Sequence, residues 1–527
     1  MDFEARGANW AVATPHRQAT EAAADAFELG GNALDAAVAA AVTLAVVYPH
    51  MCGVGGDLFA LVQLPEGGAV AVNASGRALS GADRAVAAAA GDGAMPERGP
   101  HTVTVPGAVG GWEALHGLGA TLPWARLFER AVAFTIEGTT VSRSLSEVLG
   151  GPDRPGEPAA DPLAAIFRPG GETLPPGARF TQPALGDTLQ RIATEGPAAL
   201  YGGRVGARYV RGLRAAGVPI TERDLASHRT DLGAPLHAPY GADDVLVHPP
   251  NSQGFVLLEM LSLIERLQID PDPLGPDAGV LAKIFRAAAR DRDLHLADPD
   301  AMRIHPSTLL DDGHLAALDD EVRGVVDVTS PPHPIPHGDT IALVTADGEG
   351  RAVSLIQSLF YGFGSGILEP DTGIVAQNRG ACFTVDPGHA NVLAPGKRPA
   401  HTLMPVLVQR DGRTAVTAGS MGGYGQPQIN AMNLIRTRTL GMTPGDAIAA
   451  PRWLVGGMDP DAEGRSFILA EADVPEGTLD ALREAGFAIE TVGEHDEALG
   501  HAHLICAGSD GLEAGSDPRA DGGALAG

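Results

Sequence analysis

An α+β fold in which stacked sheets are covered by helices follows from three features of the chain: a helical hairpin near its start, two amphipathic helical patterns at its middle, and hairpin strands from Thr340 onward. Strands that return through short turns build antiparallel sheets, whereas regular β-α-β alternation would build a parallel one. Hydrophobic residues make up 44% and charged residues 19% of the 527 positions. That is ordinary globular composition, and the length alone suggests about three domains.

The first helix is expected over residues 18–29 (QATEAAADAFEL), closed by Gly30 and Gly31. Asn32 then caps a second helix from Ala33 to Val47, which is too short and, with Asp35, too polar to span a bilayer. The glycine-rich loop MCGVGGD (51–57) follows, and LFALVQL and AVAVNAS read as paired strands that run into Arg77. Residues 151–176, rich in Pro and Gly, read as an irregular surface excursion. Apolar residues recur every three or four positions in Phe255–Gln268 and Gly279–Ala297, the helical period. From Thr340 the texture is β: TIALVTAD, the turn GEG, RAVSLIQSLF, then PVLVQR, Asp411-Gly412 and RTAVTAG. Gly362, Gly364 and Gly366 form G-x-G-x-G without the helix and acidic partner of a dinucleotide site.

The formal net charge of −28 argues against nucleic acid and against an anionic membrane surface as partners. The segment MDFEARGANWAVATPHRQ has no basic stretch followed by an apolar core, so a cytoplasmic protein is expected. Cys52, Cys382 and Cys506 are too few and too scattered for a disulfide framework or a metal set and read as small buried residues. His501 and His503 share one face of a strand but have no third ligand at a supporting spacing, so no metal is expected, and His16 and His50 read as caps or loop hydrogen-bonders.

The segment PPHPIPHGDTIALVTADG (331–348) changes from proline-rich to β at Gly338-Asp339-Thr340. A threonine hydroxyl needs an adjacent base to act as a nucleophile, and the amine of the same residue supplies one once it becomes a chain N-terminus. Cleavage between Asp339 and Thr340 would create that amine. If GEG forms a three-residue bulged turn, Thr340 faces Ser358 across the hairpin, and a second hydroxyl can hold the nucleophile.

Nine collinear stretches resemble the γ-glutamyltransferase family of N-terminal nucleophile hydrolases: GGNALDAAVAAAVTLAVVYPHMCGVGGD, TVPGAVGGWEAL, HPPNSQG, GDTIALVTADGEGRAVSLIQS, FGSGI, PGKRPAHTLMP, GSMGGYGQPQ, AAPRW and DPRADG. The resemblance implies an αββα four-layer sandwich made by a proenzyme. A large chain, 1–339, and a small chain, 340–527, would stay entwined as a heterodimer, with its further dimerisation left open. By position, Thr340 matches the nucleophile, and Ser358 stands where the family usually has a supporting threonine. Gly422 and Gly423 match the oxyanion-hole pair, and Arg77 approximately matches the arginine that grips the substrate carboxylate, though it reads equally as a surface ion pair. Backbone N–H groups of glycines can approach a developing oxyanion closely, and a guanidinium offers a carboxylate two parallel donors.

The departures fall where a γ-glutamyl enzyme reads its substrate's amino and carboxylate groups. Phe360 replaces an asparagine, Ala381 and Cys382 replace an acidic pair, His401 and Thr402 replace two serines, and Ile341 and Ala342 replace polar residues. The pattern resembles the family's oxamate-amidohydrolase-type branch, whose substrates are small carboxylate-bearing amides without an amino group. His401 reads either as a donor to a carboxylate or as a packed imidazole. The sequence thus points to a self-processing threonine amidohydrolase without a cofactor, acting on a small amide. A γ-glutamyltransferase or glutathione hydrolase and a non-catalytic ligand-binding homologue are the alternatives, and an acylase role is open too.

Overall fold

The computed structural model describes residues 2–151, 154–157, 161–324, 339–458 and 466–527. The proline-rich lead-in at 331–338, with Gly338, lies outside the described residues.

Two seven-stranded sheets organise the chain. The first runs in the order Gly523–Ala526, Trp10–Thr14, Asp339–Asp347, Ala352–Phe360, Asp57–Gln63, Ala69–Ala74, Asp231–Gly233. The second runs Glu4–Gly7, Gly511–Ser516, Ala502–Gly508, Arg413–Ser420, Val406–Arg410, Asp243–Val247, Leu236–Tyr240. Neighbours in both are antiparallel. Each sheet therefore interleaves strands from before and after residue 339.

The helical hairpin, Arg17–Glu28 and Ala33–Val47, lies on the first sheet. His16 caps its first helix, and Asn32 and Asp35 form a capping box on the second, which is buried throughout because it is apolar on all sides. The two amphipathic patterns become Gly254–Leu267 and Ala278–His295, which cover the second sheet with Asp312–Val322. Between the sheets Val344, Ala346, Leu61, Leu407, Ile505 and Ala514 form a thin core of mostly small side chains. The layers are helix, sheet, sheet, helix, as the αββα expectation requires. Within the described part of 151–176, where the sequence predicts an irregular excursion, Asp161 caps a short helix, Pro162–Phe167, with proline at its first turn, where the missing N–H costs nothing.

Strand alternation decides which side chains enter the layer between the sheets. Ile341 and Leu343 pack under the helices, whereas Ala342 and Val344 face inward. Thr340 shares the inward face with Ala342. The turn Gly348-Glu349-Gly350, with Gly350 at φ +91°, sets the register that pairs Thr340 with Ser358. Arg413–Ser420 packs against this face, and Ser354 Oγ donates to the Ala418 carbonyl at 2.6 Å.

Candidate active site

The ladder bulges at the peptide bond before Thr340. Asp339 pairs with Phe360 while Thr340 pairs with Ser358, so Leu359 is the extra residue. Phe360 closes the bulge at φ +88°, a strained conformation for a bulky residue that costs about 1–3 kcal/mol and persists where surrounding contacts enforce it.

Thr340 Oγ1 donates to Ser358 Oγ at 2.9 Å, and Ser358 Oγ donates to the Asp339 carbonyl oxygen at 2.9 Å. One hydroxyl thus stands between a threonine and the carbonyl of the peptide bond that precedes it. Both side chains are fully buried. The Phe360 N–H reaches the same Ser358 oxygen at 2.8 Å, and Arg379 Nη2 reaches it at 3.2 Å. Two N–H donors on one hydroxyl oxygen strengthen that hydroxyl as a donor toward the carbonyl.

Arg379 is fully buried in the turn Arg379–Cys382. Its Nη1 donates to Thr402 Oγ1 at 3.0 Å and lies 3.7 Å from Cys382 Sγ, and the Phe360 ring covers the guanidinium at 4.1 Å. Its Nε has no partner, and no carboxylate among the described residues pairs with it. The positions that replace the family's acidic pair, Ala381 and Cys382, leave this charge without a carboxylate in direct contact, and Asp57 acts on it only through space. Burial raises the Cys382 thiol despite the nearby guanidinium, so no reactive thiolate forms.

Gly422 and Gly423 follow the strand Arg413–Ser420 and both take positive φ, +139° and +52°. A Cβ on Gly422 would come within 2.6 Å of Ile429. Neither N–H finds an acceptor among the described residues. The turn is anchored from behind: Gln253 Nε2 donates to the Thr402 carbonyl at 2.7 Å and the Gly423 carbonyl at 2.9 Å. Arg292 Nη1 donates to the Tyr424 carbonyl at 3.2 Å. One hydrogen-bonded chain therefore joins Thr340, Ser358, Arg379, Thr402, Gln253 and Gly423.

His401 resolves toward packing and positioning. Its Nδ1 accepts from the Leu403 N–H at 3.3 Å, which leaves Nε2–H to donate to Asp57 Oδ2 at 3.1 Å. Burial, with the Arg379 charge, drives its pKa well below the usual imidazole value, so it stays neutral. Asp57 Oδ1 accepts from the Gly76 N–H and from Gln377 Nε2, each at 2.8 Å. Burial lifts Asp57 to about 6, against the pull of Gln377 and Arg379.

Arg77 stands apart from this network. Its guanidinium, 42% exposed, bonds Asp298 at 3.4 Å and the Gly396 carbonyl at 3.1 Å. The structure thus brings together Asp339, Thr340, Ser358, Phe360, Thr402 and Gly423, and adds Arg379, Gln253 and Asp57, which sequence reasoning did not single out. The sign was there for Arg379: a lone cation two positions before two neutral replacements. His501 and His503 are buried beside each other and held neutral, His501 at about 4 and His503 at about 3, burial being the main cause.

A helix-sheet-sheet-helix fold with antiparallel sheets and a buried threonine opening a central strand defines an N-terminal nucleophile hydrolase. The family model for gamma-glutamyltranspeptidase matches residues 19–527, and the chain belongs to that family. It is 38% identical to the oxamate amidohydrolase proenzyme of Klebsiella pneumoniae subsp. pneumoniae, covering 97% of each chain. It is 37% identical to the glutathione hydrolase-like YwrD proenzyme of Bacillus subtilis over 100% of each. The crystal structure of cephalosporin acylase from Bacillus halodurans matches with a TM-score of 0.90 at 31% identity, over 99% of this chain and 97% of that one. The protein is an enzyme, an amidohydrolase of the N-terminal nucleophile type.

Proposed function

We propose that the chain cuts itself between Asp339 and Thr340 and then hydrolyses small amides that carry a carboxylate next to the amide carbon and lack an ammonium group. The observation that carries the reading is Ser358 Oγ, set between Thr340 Oγ1 and the Asp339 carbonyl oxygen. Thr340 Oγ attacks the Asp339 carbonyl carbon, its proton passing to Ser358 as Ser358 hands its own proton to the carbonyl oxygen, from which it later reaches the Thr340 nitrogen. The C–N bond breaks, the Thr340 nitrogen takes up a proton, and water hydrolyses the resulting ester. The products are a new carboxylate on Asp339 and a free amine on Thr340. Because both sheets interleave the two segments, chains 1–339 and 340–527 stay associated as a heterodimer.

In turnover the Thr340 amine accepts the Oγ proton, Oγ attacks the substrate amide, and the Gly422 and Gly423 N–H groups receive the oxyanion. The amine returns the proton to the leaving ammonia, and water then resolves the acyl ester.

The substrate class rests on Arg379. Its Nη2 lies one hydroxyl away from the nucleophile, which suits a carboxylate bonded directly to the amide carbon. The carboxylate of a γ-glutamyl group lies several carbons further out and brings an ammonium with it. Asp57, the buried carboxylate that Arg379 acts on, is already engaged by Gly76, Gln377 and His401. The name of the 38%-identical oxamate amidohydrolase supports the same class.

Intact-mass and N-terminal analysis of the purified protein during oxamate hydrolysis tests the reading. Expected are two chains, a small one beginning TIALV, with ammonia release and an acyl adduct on that chain. Hydrolysis by a chain that remains single would overturn it.

A further inference from the structure

On the helical layer over the second sheet, three helices bring together Glu259 from Gly254–Leu267, Asp291 from Ala278–His295 and His314 from the first turn of Asp312–Val322. One ligand atom from each lies within 4.8 Å of the others. His314 Nε2 contacts Asp291 Oδ2 directly and stands 3.9 Å from Glu259 Oε1. Asp291 turns its other oxygen toward Arg290, at 3.7 Å.

Glu259 is the anomaly. Its side chain is fully buried, and neither carboxylate oxygen has a hydrogen-bond partner among the described residues. Burial and the neighbouring Asp291 charge push its pKa well above the ordinary carboxylate range. An unpartnered buried carboxylate costs several kcal/mol if ionised, so sites of this kind hold a proton or a cation. An imidazole nitrogen aimed at the same point distinguishes the two, because neutral His with carboxylates is a donor set for a borderline divalent ion.

We propose that Glu259, Asp291 and His314 form a structural binding site for a divalent cation of the Zn²⁺ or Mn²⁺ type. Ligand atoms about 2.1 Å from a tetrahedral ion sit roughly 3.4 Å apart, so small side-chain rotations complete the set, with water filling the remaining position. His314, 26% exposed, is the entry side. The ion joins the three helices at the level of Arg292, which follows Asp291 and holds the Tyr424 carbonyl, and on the helix that Gln253 precedes. Its effect is to stiffen the layer behind the Gly422-Gly423 turn.

The test uses the full-length protein, stripped with a chelator and titrated separately with Mn²⁺, followed by electron paramagnetic resonance, and with Zn²⁺, followed by calorimetry and thermal melting. Expected is one tight site for at least one of the two ions, with a rise in Tm. His314→Ala, at a partly exposed position that tolerates truncation, and Glu259→Gln, which keeps shape and removes charge, should each weaken binding at least tenfold and abolish the Tm rise. Absence of a site for either ion in the wild-type protein would overturn the proposal. So would affinity and Tm rise unchanged in His314→Ala.

Discussion

Arg452 and Arg519 on one side and Arg379 on the other are all fully buried yet treated in opposite ways. Arg452 and Arg519 lie in a closed ion network: Arg519 reaches Glu471 at 2.7 Å and Asp517 at 3.0 Å, and Arg452 reaches Asp517 at 3.0 Å. Burial alone would raise Asp517, but the two guanidinium charges outweigh it and hold its pKa well below the ordinary value. In direct contact Arg379 has only hydroxyls, a thiol and an aromatic face, with Asp57 acting on it from further away. A closed network locks structure, because removing one partner strands the others. A guanidinium beside the nucleophile with no carboxylate in direct contact keeps its planar donors free for one, which is the role proposed for Arg379. Carboxylates repeat the contrast: Asp517 is ionised by its partners, while Glu497, mostly but not fully covered beside Ser144, is lifted to about 8 and keeps its proton.

The largest effect should come from a change that leaves both arginine groups intact. Thr340→Ala should remain one chain on a denaturing gel and lose at least about 10³-fold in amide hydrolysis, with Tm nearly unchanged. Processing of that variant at wild-type rate would break the link between Thr340 and maturation.

Exchanging the arginines sharpens the contrast most. Arg519→Ala should cost about 3–5 kcal/mol of stability, because Glu471 and Asp517 are left buried and charged. Arg379→Ala should lose under about 1.5 kcal/mol or gain stability, while kcat/KM for a carboxylate amide falls about 10²-fold or more. Denaturant titration and kinetics on the two variants decide it, and equal stability losses would erase the distinction.

A smaller effect concerns the hydroxyl between the nucleophile and the scissile carbonyl. Ser358→Ala should slow both maturation and turnover by about 10²-fold, and Ser358→Thr should restore both. A time course of chain cleavage after rapid purification measures the first. Wild-type rates in Ser358→Ala would remove the bridging role.

The gentlest test is of pH. Glu497 binds its proton more tightly folded than unfolded, so the stability it contributes is fully present below about 4.5 and is lost as pH rises toward about 8, by at most about 1.4 kcal/mol per unit. Glu497→Gln should flatten that slope in Tm measured from pH 5 to pH 8. An unchanged slope would assign it to other groups.

Much of this was legible because local rules were strong. Asn32, the turn at 348–350 and the Asp411-Gly412 pair, both at positive φ, each dictate one geometry, and from them came the helical hairpin and the Thr340 to Ser358 register. Side-chain direction was not legible. Arg77 follows the right strand, yet its guanidinium turns to Asp298, a residue far along the chain. Arg379 meets Ser358 and Thr402 only because three loops converge, and the left-handed Phe360 follows from a bulge that no propensity signals. Glu259, Asp291 and His314 come from three helices whose individual patterns are those of ordinary amphipathic surfaces.

Arg379, one hydroxyl from Thr340 and without a carboxylate in direct contact, is proposed to select a short carboxylate-bearing acyl group. Measuring kcat/KM for oxamate and for a γ-glutamyl amide on one preparation of the mature wild-type enzyme tests it most directly. A buried ammonium without a free acidic partner costs about 1–3 kcal/mol, so oxamate should be preferred by roughly ten- to a hundredfold. A clear preference for the γ-glutamyl amide would contradict it.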